Sequence, residues 1–210
     1  MIDDIGALLL HLWTLNDKDD IRQAREEASG PACGIATLDP ATTLAMSPML
    51  RARYAFADAW HGAAHGQTWL AVGAVATTSA LLRERAWHRA QVEVPADTFP
   101  GSIEPARMVL FGIDDARGGA TYLIWRHDDA EPMVCAFYGG GLDTFADLGR
   151  YLEFLVGERT HDDSAELLAA SAGPVRPLAP SPALGGTLQG SLRAAIASSR
   201  RTTTGRVSSP

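Results

Sequence analysis

The stretch MVLFGIDDARGGATYLIWRHDDAEPMVCAFYGGGLDTFADLGRYLEF, residues 108–154, carries the pattern that decides the fold. Residues 107–113 are an apolar run of buried-strand type, and 114–119 hold two acids and two glycines, the composition of a turn. A second strand follows at 121–125. The acidic segment 127–132, ending in Pro132, separates it from a third at 133–138, which closes on Gly139, Gly140 and Gly141. Three short strands with polar connections predict an antiparallel meander over about 107–138. The period then changes: Phe145, Leu148, Leu152 and Leu155 recur at helical spacing, with Tyr151 beside them. A helix over 143–157, capped by Asp143 or Thr144, is therefore expected to lay its apolar face on the sheet.

Toward the N-terminus the pattern is mostly helical. Ile5, Leu8, Leu9, Leu12 and Trp13 form one apolar stripe, with Asp3 and Asp4 in the first turn where the helix dipole favours anions. Asn16 is a candidate cap for a second helix over 16–28, thinly apolar and stopped by Ser29-Gly30-Pro31. Residues 31–48 read as an irregular connection and 49–64 as a helix with Leu50, Tyr54, Ala57 and His61 on one side. Residues 69–75 suit a short strand or a helix. Ser79 is placed to cap a helix over 79–88, with Pro95 ending any extension. The whole reads as an α+β domain over 1–172, helical over 1–100 and built of sheet plus helix over 103–158. A flexible Pro/Ser/Arg-rich tail over 173–210 follows.

Charge narrows the partners. The chain has 18 basic and 25 acidic side chains for a net charge of −7, but its last 38 residues hold five arginines and no acid. Without them, 13 basic side chains face 25 acids, about −12, a balance that disfavours nucleic acid and anionic membrane and suits a basic protein partner. An opening of Met1-Ile2-Asp3-Asp4 lacks the basic start of a secretory signal, and no apolar run approaches the roughly 20 residues of a membrane helix, so a cytoplasmic protein is expected. Cys33 and Cys135 have neither zinc nor redox spacing and read as reduced, buried thiols.

The chemical motifs are sparse. His61 and His65, four apart on an expected helix, would share a face and form the best metal candidate, but a third ligand is missing; the competing reading is an ordinary helix-end pair. Gly139, Gly140 and Gly141 lack the spacing and lysine of a phosphate loop. The paired acids at 114–115, 128–129 and 162–163 read as solvated turns rather than as a hydrolytic pair held across a cleft. No nucleophile elbow occurs, and the five tryptophans read as core. No cofactor and no catalytic residue are expected. Acids at the sheet turns, Asp114, Asp115, Asp128, Asp129 and Glu131, with Trp125 and Tyr138 as aromatic anchors, are expected to form one acidic binding rim.

The block 109–114, then 118–125, then 131–138, then 145–155 resembles the SUKH superfamily, the Smi/Knr-like proteins. The shared features are a strand ending in an acid, a glycine-containing turn, a strand with an aromatic, a strand introduced by proline, and a closing helix. The resemblance spans about 103–158, a quarter of the chain. It implies a non-enzymatic α/β binding module, in bacteria commonly an immunity protein that neutralises a toxin, here through an acidic surface suited to a basic toxin. Two alternatives stay open. One is a ligand- or metal-binding domain or enzyme using His61, His65 and His88; the other is a scaffold or secretion-system accessory working through its tail.

Overall fold

The computed structural model describes residues 4–19, 21–28, 30, 32–98, 103–126, 131–138, 140–164 and 167. The expected tail at 173–210 and the acids Asp128 and Asp129 lie outside the described residues. In chain order the elements are α1 (Ile5–Lys18), β1 (Ala24–Arg25), β2 (Gly34–Ala36), β3 (Thr43–Ala45), α2 (Pro48–Phe56), β4 (Trp60–Ala64) and β5 (Gln67–Trp69). They continue as α3 (Val75–Leu82), α4 (Ala86–Thr98), β6 (Met108–Asp114), β7 (Gly119–Ile124), β8 (Met133–Tyr138), β9 (Gly141–Phe145) and α5 (Leu148–Leu155).

The meander is present and larger than its sequence signal. Seven antiparallel strands run in the order β1-β4-β5-β6-β7-β8-β9, and β2 pairs with β3 in a separate hairpin. Strands β6 and β7 are buried nearly from end to end instead of alternating, because helices cover both faces of the sheet. On one face Phe111 packs 4.9 Å from Trp69, itself 6.1 Å from Tyr151 of α5. From β7, Tyr122 meets His88 of α4. Burying side chains such as Trp60, Trp69, Phe111, Tyr122 and Phe145 to below 1 % exposure contributes about 1.5–3 kcal/mol each.

Several expected helices give way to strands. The second helix over 16–28 does not form: α1 runs on through Asn16 to Lys18, and the chain then extends. Asn16 is buried and donates to the carbonyls of Gly62 and Ala63, while the backbone of Glu26 pairs with Ala59 and Asp58. Sheet pairing thus outweighs a thin helical face. The expected 49–64 helix stops at Phe56, where the buried Arg53 guanidinium donates to the carbonyls of Ala57 and Asp58, and β4 follows. His61 and His65 are consequently on a hairpin and not on a helix.

The 79–88 helix is split into α3 and α4, with Ser79 buried inside α3 rather than capping it. Pro95 does not end α4 but lies inside it, the helix running on to Thr98. Residues 141–145 form β9, so α5 starts at Leu148 with Asp147, not Asp143 or Thr144, accepting the Arg150 N–H as cap. Cys33 is exposed, against expectation, and Cys135 is buried. Among the described residues no helix is long and apolar enough to cross a membrane.

Candidate cleft at the turn end of the sheet

Alternate connections of an antiparallel meander lie at the same end. Here the β4–β5 turn at His65 and Gly66, the β6–β7 turn at 115–118 and the β8–β9 turn at Gly140 meet there. Together with Gln91 and Val94 of α4 they enclose a cleft of about 640 Å³. That volume falls within the roughly 300–1,000 Å³ of ordinary ligand sites.

The turns need glycine. Gly66, Gly118 and Gly140 all adopt positive φ, as does His65 at 51°, an uncommon conformation for a residue with a side chain. That backbone lays the His65 ring on Tyr138, centroids 3.8 Å apart and planes 18° apart. The Tyr138 hydroxyl donates to Asp143 Oδ2. Burial pushes His65 below its ordinary value, partly offset by the Asp143 charge, so the ring is neutral. Tyr138 is pushed up by burial and by its bond to Asp143, and it stays a phenol.

The floor is Gln67, 1 % exposed, whose Oε1 accepts from the Thr121 hydroxyl at 2.7 Å and whose Nε2 donates to Phe137 O at 3.3 Å. Gly112 makes room for it, because a Cβ there would lie 2.8 Å from Trp69 and 2.9 Å from Gln67 Oε1. At the mouth, Asp114 accepts from the Arg117 N–H, and its other oxygen lies 3.8 Å from Arg117 Nε. The Asp114 side chain is 13 % exposed and that of Arg117 79 % exposed. Gln91 closes one wall by donating to Gly118 O at 2.7 Å.

The expected acidic rim is not assembled as one face. Asp114 and Asp115 belong to the cleft end, whereas Glu131 sits on the β7–β8 connection, which an antiparallel meander places at the opposite end of the sheet. Glu131 is engaged inside the fold, its Oε1 accepting the Met49 N–H at the start of α2. Trp125 is 4 % exposed and cannot serve as a surface anchor. Asp115 is exposed and 3.8 Å from Arg85, and Tyr138 lines the cleft. Asp128 and Asp129 lie outside the described residues.

The histidine pair does not converge either. His61 is bound to Thr68 and faces Glu26 at 3.7 Å, while His65 is in the cleft. Among the described residues no three His, Cys, Asp or Glu side chains gather where they could hold a metal ion. Gln67, Gln91 and Arg117 were not singled out by the sequence, and Asp143 only as a candidate helix cap; the available signal was the recurrence of glycines at 66, 118–119 and 140–141. Comparison of the chain with protein-family models, with curated proteins and with solved structures finds no match.

Proposed function

We propose that this chain is a non-enzymatic protein-binding module of the Smi/Knr-like kind, an immunity-type protein that engages a basic partner through the turn end of its sheet. The observation that carries the reading is the convergence of three hairpin turns on one cleft, with Arg117 exposed at its mouth and Asp115 exposed on the β6–β7 turn, in an acidic chain. Strands at β6, β7 and β8 and a closing helix at α5, as the resemblance implies, are compatible with it, although β9 stands between β8 and α5. The polar groups in the cleft bind one another: His65 stacks on Tyr138, Tyr138 is bound to Asp143, and Asp114 holds its own turn. Such an arrangement makes a stiff recognition surface and offers no nucleophile paired with a base.

The test is isolation of the tagged protein from its native cell, followed by reconstitution with any stoichiometric partner. The expected result is a partner that is toxic alone, is neutralised on co-expression, and binds more weakly as salt rises. Asp115→Arg should weaken that binding without loss of fold. Neutralisation unchanged in Asp115→Arg and in Arg117→Glu would remove the turn end from the interface. A second reading, a small-ligand site in the same cleft, is favoured by the neutral His65 ring; copurification of a small molecule lost in His65→Ala would establish it instead.

A further inference from the structure

A smaller notch of about 260 Å³ lies between α3 and α4, away from the cleft. Its most informative feature is Ser79. The hydroxyl is buried, the residue is 5 % exposed, and Oγ has no hydrogen-bond partner. A buried hydroxyl left unpaired costs roughly 1–3 kcal/mol, so its retention calls for an explanation. A bound acceptor atom supplies one.

His88 lines the same notch and is 4 % exposed. Its Nδ1 is 2.6 Å from the Tyr122 hydroxyl, whereas that hydroxyl is 3.5 Å from Gln91 Oε1, too long to hold the proton well. Burial pushes the Tyr122 phenol up and the His88 imidazole down. The phenol therefore donates to Nδ1, and the imidazole carries its proton on Nε2, the group it can offer a ligand. Arg83 and Arg89 line the rim; the contact of Arg89 with Glu84, 3.6 Å between exposed groups, holds it only weakly. Leu38, Val92 and Pro105 supply apolar walls.

We propose that the notch between α3 and α4 binds a small monocarboxylate, its oxygens received by Ser79 Oγ–H and His88 Nε2–H, its charge met by Arg83 and Arg89, and its short apolar body laid on Leu38 and Val92. Glu93, the acid in the lining, selects for one negative charge over two and so against phosphate. The volume lies below that of drug-sized sites, which restricts the ligand to a few carbons. This site is separate from the proposed protein interface and stands or falls independently of it.

The test is an NMR titration of the full chain with sodium butyrate, with butyramide as the uncharged comparison and inorganic phosphate as the more highly charged anion, following the His88 ring resonances. Saturable binding of butyrate with a Kd of ~1 mM or tighter is expected. Butyramide and phosphate should bind at least about tenfold more weakly, as should butyrate to the Arg83→Gln/Arg89→Gln double variant. Ser79→Ala separates a ligand role from a structural one: losing an unpaired hydroxyl should raise Tm while weakening butyrate about tenfold. No saturable shift at His88, equal binding of butyramide, or a Ser79→Ala variant with lowered Tm and unchanged affinity would each overturn the proposal.

Discussion

His88 Nδ1 lies 2.6 Å from the Tyr122 hydroxyl, the two rings near parallel at 12°, and this contact ties α4 to one face of the sheet. Gln91, one turn further along α4, donates to Gly118 O at the cleft, so the same helix links the notch to the turn end. Tyr122→Phe would leave the imidazole without its donor in a buried site. A loss of about 1–2 kcal/mol in urea unfolding is expected, with no change of fold by circular dichroism.

The histidines also set a pH dependence. His88 and His65 are both pushed below the ordinary 6.5 by burial. The unfolded chain takes up a proton near 6.5 while the native chain resists it, so these groups stabilise the fold fully above pH 6.5. Their contribution falls as the pH drops below that value. The urea midpoint should be lower at about pH 5.5 than at about pH 7.5, and the double variant His65→Gln/His88→Gln should narrow the difference. A midpoint that rises on acidification would contradict the assignment.

Glu131 illustrates how an acid that looks superficial can be structural. Its carboxylate accepts the Met49 N–H 82 residues earlier in the chain, joining the entry to β8 with the first turn of α2. Glu131→Lys should therefore destabilise the protein by roughly 2 kcal/mol or more, whereas Asp115→Lys, on an exposed turn, should stay within about 0.5 kcal/mol. Thermal melts of the two variants side by side decide the matter. Equal melting would mean that the Glu131 contact is dispensable.

The part of the fold legible in the sequence was the part with strong local pattern. Strands β6 to β8 are long apolar runs between polar turns, and both the stripe in α1 and the periodic face of α5 are unmistakable. Strands β4 and β5 were hidden because the residues at 61–65, His-Gly-Ala-Ala-His, have the spacing of a helix and little β-branching. They become strands because β1 and β6 pair with them, a tertiary effect with no local trace. The cleft was illegible for a related reason. Its glycines are visible as three separate turns, but only the meander brings them to one end.

Gly62 is where β4 is bent to meet its neighbours. Pairing of β4 with β5 shifts register between Trp60 and Ala64, and Gly62 takes φ of 67° inside that bulge. A Cβ there would stand 2.5 Å from the Arg22 carbonyl oxygen, a backbone atom that cannot swing aside. Gly62→Ala should cost roughly 2 kcal/mol or more, above the usual penalty for a left-handed alanine because a clash adds to it. Gly73, with open space around its Cβ and no positive φ, is the control: Gly73→Ala should be neutral or slightly stabilising. Equal stability of the two variants by urea unfolding would show that the bulge relaxes freely.

The thiols give a check on burial that needs no variant. Cys33 is exposed, whereas Cys135 sits inside β8, where burial pushes its thiol well above the ordinary range and keeps it protonated. Only a thiolate attacks a disulfide reagent at a useful rate, so the native chain should react rapidly at Cys33 alone. The second thiol should appear on unfolding in guanidinium, and at lower denaturant its rate should report the opening of the β7–β8–β9 ladder around it. Two fast thiols in the native protein would place Cys135 at a surface and contradict its burial within the β7–β8–β9 ladder.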